Sequence, residues 1–114
     1  MPRFVVHEHD HPSLHWDLML DVGESLRSWR LGALPEAGVT TTCVSTPDHR
    51  RAYLDYEGPV SGNRGSVKPV LSGDYSIVEE TEMRLHLVLA APGACLEVTL
   101  SPTMGPGTVV IRAC

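Results

Sequence analysis

Nowhere does the 114-residue chain hold the run of about 18 apolar side chains that a membrane-spanning helix needs, so no membrane partner is expected. The start, Met1-Pro2-Arg3-Phe4, lacks the apolar segment and cleavage site of a secretory signal, and the expected compartment is the cytoplasm. The three cysteines, Cys43, Cys95 and Cys114, are odd in number and show no Cys-x-x-Cys spacing. They read as reduced thiols rather than as a disulfide framework or a zinc ribbon. Positive charge is scarce. Nine Lys and Arg against fourteen Asp and Glu leave a net charge of −5 with His neutral, which disfavours loose, sequence-independent binding to nucleic acid. Internal repeats, linkers and low-complexity tracts are absent, and the length suits a single domain over residues 1–114 with one core.

What the chain does have is glycine, proline and short alternating segments. Ten Gly and nine Pro exceed the usual share, as expected where many short strands are joined by turns. Strands are expected at 4–9, 14–21, 26–31, 39–44, 65–69, 75–79, 83–90, 95–100 and 108–112. Between the fourth and fifth, Ser45-Thr46-Pro47-Asp48 reads as a turn or helix start, with Ser45 or Thr46 as cap. That start would place His49 and Tyr53 one turn apart on a helix face. Ser72-Gly73-Asp74 reads as a turn. Seven to nine short strands with one or two helical turns indicate a mainly β protein, a small antiparallel β-barrel.

The most informative stretch is 4–21. From Leu14 to Asp21 the chain alternates, with Leu14, Trp16, Leu18 and Leu20 on one side and His15, Asp17, Met19 and Asp21 on the other. Side chains two apart share a strand face, so the first set faces a core while His15 and Asp17 project together. His9, at the end of the preceding strand across a Pro12-Ser13 turn, can meet them. Two imidazoles and a carboxylate form a donor set for a divalent metal such as manganese, zinc or iron. The competing reading is the polar outer face of an edge strand. His7 and His11 share the parity of His9 and read as solvated or supporting residues, and His86 as an ordinary surface or core histidine. Trp16 and Trp29 read as core. Asp10 either orients the His9 imidazole or begins the turn at Pro12. Asp48 reads as a helix-start residue, Glu57-Gly58 as structural, and Cys43 as buried in a strand.

Val5-Val6-x-x-His9-Asp10, Leu14-His15-x-Asp17, Leu26-x-Ser28-Trp29, Asp48-His49 with Tyr53, and Asp55-Tyr56-Glu57-Gly58 occur in an order that resembles the phosphoesterase domain of bacterial DNA ligase D. That family acts in nonhomologous end joining and has free-standing members, of which this chain looks like one. The resemblance implies a β-barrel and a manganese-dependent enzyme that trims 3′ ends of DNA or RNA, removing a 3′-terminal ribonucleotide and then the 3′-phosphate. It implies His9, His15 and Asp17 as metal ligands, His49 as the phosphate-contacting catalytic histidine, and Tyr53 as its support. Zinc or another transition metal is the alternative ion, and repair ligases or polymerases are the implied protein partners. Two positions depart from the family pattern. Met19 stands where the family has a phosphate-clamping arginine, and Thr40-Thr41-Thr42 where it has another basic residue. Arg64, or Arg50 and Arg51 beside His49, would then supply the missing charge. The alternatives are a degenerate member serving as a metal-containing interaction module, and a hydrolase of a small phosphoester.

Overall fold

The fold is described from a computed structural model covering residues 2–114. Nine strands, all paired antiparallel, form one sheet: β1 (Arg3–His9), β2 (His15–Asp21), β3 (Leu26–Leu31), β4 (Thr40–His49), β5 (Gly58–Pro59), β6 (Ser66–Glu80), β7 (Leu85–Ala91), β8 (Ala94–Ser101) and β9 (Pro106–Ala113). Their order is β1-β2-β3-β4-β9-β8-β7-β6-β5, and β6 also pairs with β1. Eight strands therefore close into a barrel, and the two-residue β5 is left as an extra strand on β6. Closure leaves few unpaired backbone groups, which a chain of this size with one core would otherwise expose.

The barrel interior takes one parity of every strand. Phe4, Val6, Leu18, Leu20, Trp29 and Leu31 on the β1–β3 wall meet Leu85, Leu87, Leu89, Val98, Leu100, Val109 and Ile111 on the other. The indole nitrogen of Trp29 donates to the Thr103 carbonyl at 2.8 Å, so its one polar atom is satisfied within the core. A second, smaller cluster lies on the outer face. There Val5, Met19, Leu26 and Leu54 pack together with Tyr53 against them. Its roof is a single 3-10 turn, Arg51–Asp55, the one helical element among the described residues. The outer face of β1–β3 is thus partly covered, and His7, His15, Asp17 and Ser28 on it are buried.

Several local expectations are corrected. Leu14 lies just outside β2 and is 56% exposed. Residues 45–48 are not a helix start: β4 runs on to His49, and the 3-10 turn begins without a side-chain cap. Ser45 Oγ instead accepts from the Gly105 amide at 2.7 Å. Pro47 is tolerated because β9 pairs only with residues 40–44, so among the described residues β3 is the only strand paired with the later half of β4. The segment 66–80 is one strand rather than two, and Gly73 is not a turn residue. A side chain at Gly73 would strike the Ala90 carbonyl of β7, so glycine there permits the close approach of two strands. Finally, Cys95 and Cys114 are joined in a disulfide that ties the end of β9 to β8, while Cys43 is buried and free. The sequence spacing does not reveal this pair because only the β8–β9 register, Leu96 opposite Ala113, brings the two together.

Candidate metal centre and its cavity

The two-residue period of β1 and β2 sends Val5, His7 and His9, with His15, Asp17 and Met19, to the outer face. Register sets His9 opposite His15 and His7 opposite Asp17. His15 and Asp17 are buried and His9 is half-buried. Asp17 Oδ2 lies 3.2 Å from His15 Nε2 and 3.6 Å from His9 Nδ1. All three donor atoms fall within 4.8 Å of one another.

The far side of each imidazole decides what this triangle can be. His15 Nδ1 is 2.8 Å from the Ser13 carbonyl, and His9 Nε2 is 2.8 Å from the Arg64 carbonyl. A carbonyl cannot donate, so those ring nitrogens carry the protons. The opposite nitrogen of each ring then faces the Asp17 carboxylate, His15 Nε2 within hydrogen-bond distance of it, so a proton or a cation must lie between nitrogen and oxygen. Donors about 2.1 Å from one tetrahedral ion stand about 3.4 Å apart, close to the two His–Asp spacings found here. Imidazoles that donate their second N–H to backbone carbonyls are also the usual support of metal-bound histidine. The donor set therefore fits a divalent transition-metal ion.

Asp10 supports this arrangement at one remove. It does not orient His9 directly. Its Oδ1 accepts from the Ser66 amide at 2.8 Å, and a side chain at Gly65 (φ +71°) would collide with that carboxylate. Asp10 thereby anchors the 61–65 loop whose Arg64 carbonyl holds His9.

A cavity of about 510 Å³ opens beside the triad, and His49, Tyr53 and His7 line it with His9 and Asp17. His49 comes from the end of β4, where a register shift sets Leu26 opposite His49 but Ser28 opposite Thr46. Such a bulge re-aims a side chain. The His49 and Tyr53 rings meet edge to face, 6.1 Å between centroids, so the expected facing is present although strand and 3-10 turn supply it. Tyr53 is wedged further by Tyr56 at 5.4 Å and by the Arg50 guanidinium at 5.8 Å from its ring. His49 Nδ1 is buried and has no hydrogen-bond partner among the described residues.

The remaining candidates divide. Arg50 and Arg64 line the cavity; Arg51 does not, because its guanidinium is fixed to Asp21 at 2.8 Å. That pairing holds the Asp21 carboxyl below its ordinary range. Asp48 accepts from Ser25 Oγ at 2.9 Å and is not a helix-start residue. His7 is buried rather than solvated, at 2% exposure. Burial pushes its pKa down to about 4, so the ring is neutral, and its Nε2 lacks a partner among the described residues. Arg30 was not singled out by the sequence reasoning, yet it lines the cavity and stands opposite Asp17. The signal was present: in a hairpin of 14–31, Arg30 has the parity of Ser28 and Leu26, the outer face.

A family model described as the DNA Ligase D 3′-phosphoesterase domain matches residues 7–101. The chain is also similar to the multifunctional non-homologous end joining protein LigD of Pseudomonas aeruginosa, with 33% identity over 60 residues. That match covers 51% of this chain and 7% of the much longer relative.

Proposed function

The chain belongs to the DNA ligase D 3′-phosphoesterase domain family, and on that premise we propose that it hydrolyses phosphoesters at the 3′ ends of DNA or RNA with a divalent metal held by His9, His15 and Asp17. The observation that carries this reading is the convergence of two imidazole nitrogens and a carboxylate oxygen, each ring held from behind by a carbonyl. Manganese is the proposed ion and cytoplasmic DNA end repair the proposed setting, with repair ligases or polymerases as protein partners. When bound, the ion supplies positive charge that polarises the phosphate.

The protein's own residues do the rest. His49, braced by Tyr53 on the same cavity, binds a phosphate oxygen or protonates the departing 3′ oxygen as a water oxygen bonds to phosphorus and the P–O bond breaks. The burial of His7 and Asp17 in the cavity wall lowers the local polarity, which strengthens these interactions. An acidic protein can do this because contact is confined to the end of a strand. Met19 in place of the family's arginine favours a second reading, a binding module that keeps the metal and lacks turnover.

The deciding experiment is phosphate release from an oligonucleotide with a 3′-phosphate, with and without manganese. The expectation is metal-dependent release that falls about 100-fold or more in His49→Ala. No release at high enzyme concentration from protein carrying bound manganese would replace the hydrolase with the binding module.

A further inference from the structure

The cations of this acidic chain are unevenly spent. Arg3, Arg27, Arg51, Arg84 and Lys68 each pair with a carboxylate: Asp55, Glu80, Asp21, Glu79 and Glu8 respectively. Of the other four, Arg30, Arg50 and Arg64 line the cavity of about 510 Å³ beside His9 and Asp17, and none of these three has a carboxylate partner among the described residues. Arg64 is engaged locally, donating to Ser61 O at 2.7 Å and Ser61 Oγ at 3.2 Å. Arg50 lies over the Tyr53 ring. Arg30 is exposed and has no hydrogen bond, ion pair or ring contact among the described residues, so its guanidinium is free for a ligand.

Its position is the second consideration. Arg30 lies directly across from Asp17 and diagonally across from Met19, which pairs with Ser28. Diagonal cross-strand neighbours are about 7–8 Å apart, within the reach of a long side chain. Arg30 also lines a neighbouring cavity of about 320 Å³ that His15 shares. A guanidinium based on β3 thus stands at the junction of two hollows flanking the ligand residues.

We propose that Arg30 is the phosphate-binding guanidinium of this site, supplied from β3 where β2 offers only Met19. The proposal rests on the phosphoesterase reading, and it names the residue that gives that reading its missing charge. A guanidinium binds two phosphate oxygens at once, which neither a thioether nor a hydroxyl can replace.

The test compares wild type with Arg30→Ala and Arg30→Lys, each loaded with manganese and checked for metal content and melting temperature. The first readout is inorganic phosphate binding by calorimetry; the second is phosphate release from the 3′-phosphorylated oligonucleotide. Arg30→Ala is expected to keep its metal, to bind phosphate about tenfold more weakly, and to release it about 100-fold more slowly. Arg30→Lys should recover part of the loss, and free guanidinium should partly rescue the alanine variant. Phosphate binding in Arg30→Ala equal to wild type, with the loss appearing in Arg50→Ala or Arg64→Ala, overturns the assignment. The two levels separate cleanly. Wild-type turnover that survives in Arg30→Ala removes Arg30 and keeps the reaction. Arg30-dependent phosphate binding without any wild-type turnover keeps Arg30 and removes the reaction.

Discussion

Met19 shares a face with Asp17, yet it packs among Val5, Leu26 and Leu54 at 1% exposure. The site thus lacks a cation on β2 because that position has been given to the outer apolar cluster. Met19→Arg adds bulk and a charge to a filled cluster, and it is expected to lower stability by about 1–3 kcal/mol in denaturant unfolding. Unchanged or higher stability would mean that the cluster tolerates a guanidinium pointing into the cavity. At this scale the grouping of His9, His15 and Asp17 was legible, because alternation alone puts His15 and Asp17 side by side and the Pro12-Ser13 turn returns His9 to them. Arg30 was harder to see. Its significance depends on which other arginines are already tied to carboxylates, and those ion pairs join residues up to 53 positions apart.

Between residue and barrel, the 61–65 loop and β4 shape the site. Asp10 anchors the loop through Ser66, and the loop fixes the His9 tautomer through the Arg64 carbonyl. Asp10→Ala should therefore leave the barrel folded while weakening manganese binding about 10- to 100-fold, the usual cost of losing a supporting hydrogen bond around a metal ligand. A manganese titration of the variant reads this directly, and unchanged affinity would mean that Ser66 and the loop hold their place without Asp10. The strands β1 to β3 could be read from their alternation. The extension of β4 could not: Ser45-Thr46-Pro47-Asp48 satisfies every local rule for a helix start. What overrides them is pairing with β3, which holds those residues extended through a bulge. In β6, likewise, Gly73 looks like punctuation and is in fact the point where two backbones approach.

For the whole molecule, counting strand signals was enough to predict a closed antiparallel barrel, since so many strands in so short a chain leave few other ways to bury one face of each. The cross-link was not legible, because it depends on the end of β9 lying beside the start of β8. A disulfide closing a loop with a sequence separation of 19 contributes about 3 kcal/mol by restricting the unfolded chain. Cys114→Ala should cost roughly that in denaturant unfolding and leave metal affinity untouched, since the bond joins β8 to the end of β9 while His9, His15 and Asp17 lie on β1 and β2. The charge distribution also acts at this scale. With the unpaired cavity cations limited to Arg30, Arg50 and Arg64, log affinity for a single-stranded 3′ end should fall against log salt with a slope of about −2, from three phosphate contacts at about 0.7 each. A much steeper slope would point to a second basic surface.

Whether His9, His15 and Asp17 together hold one divalent ion is answered by a manganese titration of metal-free protein. Wild type is expected to bind one manganese per chain at this site, with His15→Ala and Asp17→Ala each weakening that binding at least about 100-fold while the barrel stays folded by circular dichroism. Manganese binding equally well to both alanine variants would mean that the converging nitrogens and carboxylate serve something other than a metal.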